Sequence, residues 1–392
     1  MSTQESTAQP WAAQLFQPFP EAPDIVFARV AARSALFTTG GSGGDDVVTG
    51  SAAGHDAGDT SLRATGELVE RMGNITAGRT AEAEQRVVDT YENLRRTGRP
   101  ALDPARFERH ARLSREVKRL WVPGRSLSSG REVLVPAGAV YLRHRPASHP
   151  DVRAGSTGLA AHPDETLAVH HAAWEILERD LIRRSWYGEA DAPADAPADA
   201  PYLQLGPALG ASLTALGLTA ALLLVPAPPG VDCVVACLHD ADGDSQSFGA
   251  ACGPARRPAT AEKAVYEALM VRWSMGTPVA RRRWAEWAGT TPPRTALEHA
   301  LWAFHRQDSL RAWLSGTRAS PAGRTSLAHP DPAAVLASHT GEEVYAVPTP
   351  SRQALETGLT VVRVVAPGAF PLPGGPVEAS GPSGAHRPHP FG

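Results

Sequence analysis

The chain has 392 residues, 42% of them hydrophobic and 20% charged, which is enough apolar sequence for a substantial core and excludes a disordered or fibrous protein. A formal net charge of −3 excludes a general positive field for nucleic acid or an anionic membrane surface, so any polyphosphate must be held by a local arrangement. The cysteines, Cys233, Cys237 and Cys252, include no C-x-x-C pair, which argues against a disulfide framework or a cysteine-rich zinc site and suits a reducing cytosol.

Residues 1–22 lack the basic start and apolar core of a signal peptide and read as a flexible N-terminus. "DIVFARVAA" then has strand character. The glycines from Gly40 to Gly44 are not followed by G-K-[ST], so they read as a surface loop and not a phosphate loop. From Thr60 to about Arg96 the spacing is helical, with Leu62, Leu68, Val69, Met72 and Ile75 forming an apolar stripe. A second helical region is predicted through "PARFERHARLSREVKRLW". "VPGRSLSSGREVLVPAGAVYLRHRP" reads as strands in a hairpin or meander. "HPDETLAVHHAAWEILERDLIRRSWY" returns to helix, with Asp164 as its N-cap.

Residues 190–201 repeat Ala-Asp-Ala-Pro and read as a surface insertion. The long uncharged stretch "LGASLTALGLTAALLLVPAP" is divided by Gly210, Gly217 and Pro226, so it reads as a short helix followed by a strand over 218–225. In "DCVVACLHD" the period of two puts Cys233 and Cys237 on one face of a strand as small buried residues. A helix in "ATAEKAVYEALMVRW" and a strand in "LTVVRVVAPGA" follow, and residues 376–392 form a Pro/Gly-rich C-terminal tail. These elements predict a mixed α/β (α+β) fold whose main domain spans 23–375.

Two helices carry the same charged pattern. Positions i, i+3 and i+4 share a helix face, so Glu67, Glu70 and Arg71 project together, as do Glu175, Glu178 and Arg179. Either set alone is explained by surface ion pairs. Their flanks, however, are rich in Ala, Gly, Leu, Val, Ile and Trp, so burying the apolar stripes draws the charges inward. Grouped buried carboxylates are costly unless cations neutralise them, and Glu oxygens are hard donors suited to Mg²⁺. Arginines beside them are suited to a phosphate chain. His171 and Glu175, with His162 or His170, offer a zinc alternative that lacks an H-E-x-x-H pattern.

The chain resembles the YcaO family, more narrowly its cyclodehydratase group acting on ribosomal peptides. The resemblance is carried by "GSAAGHDAGDTSLRATGELVER", "WVPGRSLSSGREVLVPAGAVYL", "STGLAAHPDETLAVHHAAWEILERD", "FGAACGPARRPATAEKAVYEALMVR" and "PHPFG", in family order. It implies a YcaO-type fold of two pseudo-symmetric halves, sheets covered by helices, with ATP and Mg²⁺ between them. It further implies Glu67, Glu70, Glu175 and Glu178 as metal-binding carboxylates, and Arg71, Ser156, Thr157, Arg179 and Arg272 as nucleotide-binding residues. The tail is expected to reach the active site, with Pro388, Pro390 and the Gly392 carboxylate taking part in catalysis. Thr157 stands where relatives usually have Asn, Ala53 where many have Lys, His162 in place of Gly, and Met270 in place of Gln.

The implied reaction activates a backbone amide of a ribosomal precursor peptide by phosphorylation and converts Cys, Ser or Thr to thiazoline or oxazoline. Thioamide or amidine formation by the same activation, and a catalytically weakened scaffold subunit, are the alternatives. The implied partners are the precursor peptide, a separately encoded ThiF-like leader-binding protein, a flavin-dependent dehydrogenase and a second copy of the chain. A cytoplasmic location is expected.

Overall fold

A computed structural model of the protein describes residues 11–38, 46–107, 113–145, 152–188, 190, 192–195, 203–315, 330–373 and 388–391. The chain opens with β1 (Gln14–Phe16), β2 (Val26–Arg33), β3 (Val47–Gly54) and the long helix α1 (Ala57–Glu84). Then come β4 (Val88–Asp89), α2 (Tyr91–Arg96), β5 (Arg119–Ser126), β6 (Glu132–Pro136), α3 (Ala137–Val140), β7 (Leu159–His162) and α4 (Glu165–Trp186). β8 (Ala194–Asp195), α5 (Pro207–Ala215), β9 (Thr219–Val225), β10 (Val231–His239), β11 (Ser247–Pro254) and α6 (Pro258–Met275) follow. The last part holds α7 (Pro278–Trp287), α8 (Ala296–Arg306), α9 (Ser309–Leu314), α10 (Pro332–Thr340), β12 (Tyr345–Pro348), α11 (Arg352–Glu356) and β13 (Thr360–Val365).

The described strands form three antiparallel sheets, ordered β1-β2-β3, β11-β10-β9-β8 and β4-β5-β12-β13-β7, with β6 paired to β5. The fold is therefore mixed α/β, as expected. Helix α4 lies between two of these sheets: Ala173 and Leu177 share a core with Cys233, Val235 and Cys237 of β10 and with Val362 and Val364 of β13. The alternate β10 residues Val234, Ala236 and Leu238 pack instead with Ala264, Ala268 and Leu269 of α6. A strand covered on both faces is apolar along its packed length, which is why "CVVACL" does not alternate. Helix α1 is similarly placed, with Leu68, Met72 and Ile75 against Val30 and Val48 of the first sheet and Val69 against Leu159 and Val361 of the third.

Asp164 caps α4 by accepting from Leu167 N at 3.1 Å, and Asp56 caps α1 by accepting from Asp59 N at 2.6 Å. Two predicted helices differ. The first ends at Glu84, because Gln85 turns left-handed at φ 45° and Val88–Asp89 pairs with Leu120 and Arg119 of β5. The second does not form where described. Asp103 binds Arg115, Trp121 is buried with its Nε1 donating to the Asp89 carbonyl, and the chain from Arg119 runs as strand. The N-terminus expected to be flexible to residue 22 is ordered from Trp11 onward, since Gln14–Phe16 pairs with Phe27–Arg29 and Ala22 is buried. Residues 1–10, the Gly40–Gly44 stretch and most of 190–201 lie outside the described residues, although Ala194–Asp195 pairs with β9. No helix among the described residues is long and apolar enough to cross a membrane.

Candidate functional site

The carboxylates of α1 and α4 are brought together. On α1, Glu67 accepts from Ser51 N of β3 and pairs with Arg71, each at 2.5 Å, and Arg71 also donates to the Thr49 carbonyl at 2.9 Å. One turn along, Glu70 lies within electrostatic reach of Glu175 on α4. Burial, reinforced by Glu175 and Glu67, pushes the Glu70 carboxyl well above the ordinary range, against the pull of Arg71 and Arg363. Burial raises Glu67 as well, opposed by Arg71 and the Ser51 N–H.

On α4, Glu175 accepts from Gly158 N at 3.1 Å. Glu178 is 4% exposed, and burial raises its carboxyl to about 7 against the Arg179 guanidinium. Burial of Arg179 is outweighed by Glu178, Glu267 and Glu175, which together hold its guanidinium more firmly protonated than usual. Arg179 reaches Glu178 at 3.5 Å and Glu267 of α6 at 3.2 Å.

Glu267 is a site residue the E-x-x-E-R search misses, because α6 carries only one carboxylate there. Its second oxygen accepts from Ala250 N of β11 at 2.9 Å. A similar device therefore occurs three times: Glu67 and Glu267 each take a strand N–H, from Ser51 and Ala250, and Glu175 takes the N–H of Gly158 in the turn just before β7. In two of them a glycine permits the helix to lie close. A Cβ on Gly50 would fall 2.1 Å from the Ala64 carbonyl oxygen, and one on Gly249 would fall 2.3 Å from that of Ala264.

Two cations were also missed. Arg363 of β13 is 2% exposed and stands in the field of both Glu175 and Glu70. It donates to the carbonyls of Val140 at 3.0 Å, Gly155 at 2.8 Å and Thr157 at 2.5 Å, which pins the loop holding Ser156, Thr157 and the Gly158 N–H. Burial lowers its guanidinium to about 10, so it remains charged at neutral pH. Lys263 on α6 acts from the other side, pulling down both Glu175 and Glu178.

Arg272 sits at the far end of α6. It donates to the Ser245 carbonyl at 2.6 Å and lies 5.8 Å over the Phe304 ring. Of the tail, Gly392 lies outside the described residues. Pro388 is half-buried, Pro390 is buried, and Phe391 sits in the α4 core between Phe248 and Trp313, each ring centre 6.0 Å away. His389, which resembles a solvated turn residue in sequence, is only 4% exposed and feels the Arg179 charge.

The arrangement suits divalent cations that bring their own ligands. Four glutamates with raised protonation show that the protein's cations undercompensate them. Yet no three acidic, histidine or cysteine side chains among the described residues close on a single metal position. Mg²⁺ fits this pattern, since it is ordinarily held by one or two carboxylates, phosphate oxygens and water, not by an all-protein cage.

The sequence profile of the YcaO cyclodehydratases, described as ATP- and Mg²⁺-binding, matches residues 51–370. The chain belongs to the YcaO cyclodehydratase family. ATP and Mg²⁺ are the cofactors of this family, and its members are ATP-dependent enzymes. No curated protein matches the chain. Among solved structures, the YcaO protein from Methanopyrus kandleri bound with AMPPCP and Mg²⁺ is similar over 91% of this chain and 86% of its own, at 18% identity and a TM-score of 0.59. A heterocyclase in complex with substrate and cofactor has a TM-score of 0.67 at 18% identity. It is matched over 92% of this chain, which spans 50% of that one. The E. coli microcin synthetase McbBCD complex with pro-MccB17 bound is similar over 93% and 90%, at 15% identity and a TM-score of 0.59. At these identities the likenesses establish the YcaO fold.

Proposed function

We propose that the chain is a cyclodehydratase that converts Cys, Ser or Thr residues of a ribosomal precursor peptide to thiazolines or oxazolines. The observation that carries this reading is the convergence of Glu67, Glu70, Glu175 and Glu178 with Arg71 and Arg179 at the meeting of α1 and α4. In the reaction a side-chain nucleophile adds to the preceding backbone carbonyl, and the former amide oxygen departs as phosphate. Bound MgATP would supply the phosphoryl group and the positive charge that steadies it.

The chain's own residues have three tasks. Glu67, Glu70, Glu175 and Glu178 would hold Mg²⁺, each drawing on the excess negative charge that burial makes costly. Arg71 and Arg179 would receive phosphate oxygens, and Arg179 would exchange its bond to Glu267 for them. The pinned loop presents Ser156 and Thr157 beside the Glu175 N–H contact, where their hydroxyls would meet the nucleotide. Arg272, bound to the Ser245 carbonyl, would need to leave that bond to reach a phosphate. Pro388 and Pro390 would line the peptide side of the site.

The McbBCD structure is a complex with a bound precursor, and by likeness this chain would act with a leader-binding partner protein and a precursor peptide. Calorimetry with Mg²⁺ and AMPPCP tests the nucleotide site, and Glu70→Gln or Glu178→Gln should weaken binding at least about tenfold. Mass spectrometry of the precursor peptide then reads the chemistry. Loss of water supports cyclodehydration, and replacement of oxygen by sulfur would make the product a thioamide. Absence of both nucleotide binding and peptide mass change would overturn the reading.

A further inference from the structure

The last described residues are held by an unusual pair of rings. His299 of α8 and His389 of the tail stack with centroids 3.7 Å apart and planes 3° apart, and both are almost wholly buried. His299 Nδ1 lies 3.0 Å from the His389 carbonyl, so it must carry a hydrogen and donate. His389 Nε2 lies 2.9 Å from the Pro373 carbonyl and must donate too, while its Nδ1 accepts from Phe391 N at 3.3 Å. These partners admit only one proton on His389. That excludes it as a proton-transfer base in this arrangement, since both nitrogens are committed to backbone groups. His299 Nε2 is buried with no hydrogen-bond partner among the described residues.

We propose that His299 is a positioning residue: by stacking on His389 and bonding its carbonyl, it fixes Pro388–Phe391 beside Arg179 and seats Phe391 in the core. The proposal rests on the cyclodehydratase reading only for what the anchored residues do there; the anchoring itself is independent of it. The bond to Pro373 ties the two described ends of the C-terminal segment together. The first of these ends is itself tied to α4, through Phe370 N to Asp180 at 3.0 Å and through the Arg183 guanidinium 5.5 Å over the Phe370 ring.

Such a pair holds only while both rings are neutral. Burial, then the neighbouring His299, lowers the His389 imidazole to about 3, and burial lowers His299 as well. Among the described residues, the charged groups acting on the pair are Arg179 from α4, which disfavours a proton on His389, and Glu298 on α8, which favours one on His299. Glu298 is occupied by Arg283 and Arg294 N. A released His389 takes up a proton near its usual value of about 6.5, so the anchored state weakens about tenfold per pH unit below that value until about 3. From pH 7 to pH 5 the loss amounts to about 25-fold for His389 alone.

Hydrogen exchange of the full chain at the Phe391 amide, expressed as a protection factor, tests this directly, with β10 amides as the internal reference. The expected result is a fall of at least about 25-fold between pH 7 and pH 5 with β10 unchanged. In the His299→Ala variant, a fall of at least about tenfold at pH 7 is expected, with binding of Mg²⁺-AMPPCP retained. A Phe391 protection factor unaffected by pH would overturn the proposal, as would one unaffected by the substitution in a folded variant. Should His299→Ala not fold, the pH comparison on the unaltered chain decides alone. Failure of nucleotide binding in the unaltered chain would count against the proposed function and leave the anchoring result standing.

Discussion

At the scale of single residues, the site works against the stability of the protein that holds it. Glu70 is driven toward its protonated form by burial and by Glu175. Glu70→Gln should therefore raise the melting temperature by a few degrees in the absence of Mg²⁺, while weakening nucleotide binding. Differential scanning calorimetry with and without Mg²⁺-AMPPCP reads both effects. Arg363 is the opposite case. Replacing it by Met leaves the carbonyls of Val140, Gly155 and Thr157 without their donor and exposes Glu70 and Glu175 to each other, at an expected cost of about 3–5 kcal/mol in denaturant unfolding. Arg363→Lys should recover little of this, because a single ammonium cannot span three carbonyls as a planar fork does. The four glutamates were legible because each pair lies within one helical turn. Arg363 was not, since "LTVVRVVAP" reads as a buried strand and nothing local distinguishes a buried arginine there from an edge residue.

At the scale of elements, the approach of helix to strand sets where the carboxylates sit. Gly50→Ala or Gly249→Ala would push α1 from β3 or α6 from β11, costing about 1–3 kcal/mol and lengthening the N–H contacts to Glu67 or Glu267. Chemical denaturation measures the first effect and nucleotide calorimetry the second. Helix α4 is tied elsewhere by Asp180, which is wholly buried and accepts from Arg184 at 2.6 Å, His339 at 2.8 Å and Phe370 N at 3.0 Å. Burial is outweighed by these donors, so the Asp180 carboxyl is held below its ordinary range. Its contribution is present above about pH 4 and disappears as pH falls through the lowered value. Asp180→Asn should cost about 3–5 kcal/mol at pH 7, and the gap from the unaltered protein should narrow in acid unfolding curves below about pH 4. Helices with a clean apolar stripe and strands buried on both faces were readable from the sequence. The stretch from Thr97 to Lys118 was not. Its charged residues mimic a helical face, but its described residues are held by Asp103 bonding to Arg115 and lead into the pairing of β4 with β5.

At the scale of the whole molecule, the described end of the tail, Pro388–Phe391, packs onto the core. Phe391→Ala should cost about 3–5 kcal/mol, read by thermal melting, because Phe391 fills space among Phe248, Trp313 and the α4 residues. A tail rich in Pro and Gly gives no periodicity from which that burial could be read, and its two stacked histidines come from segments 90 positions apart. The ionic groups at the centre likewise come from α1, α4, α6 and β13, and each of the three sheets meets at least one of these helices. The full set is assembled only when β13 brings Arg363 to the groups of α1, α4 and α6. A nascent or partly refolded protein would consequently be blind to nucleotide, and the recovery of Mg²⁺-AMPPCP binding during refolding should trail the recovery of helical circular dichroism, marking the moment when the last long-range contacts lock.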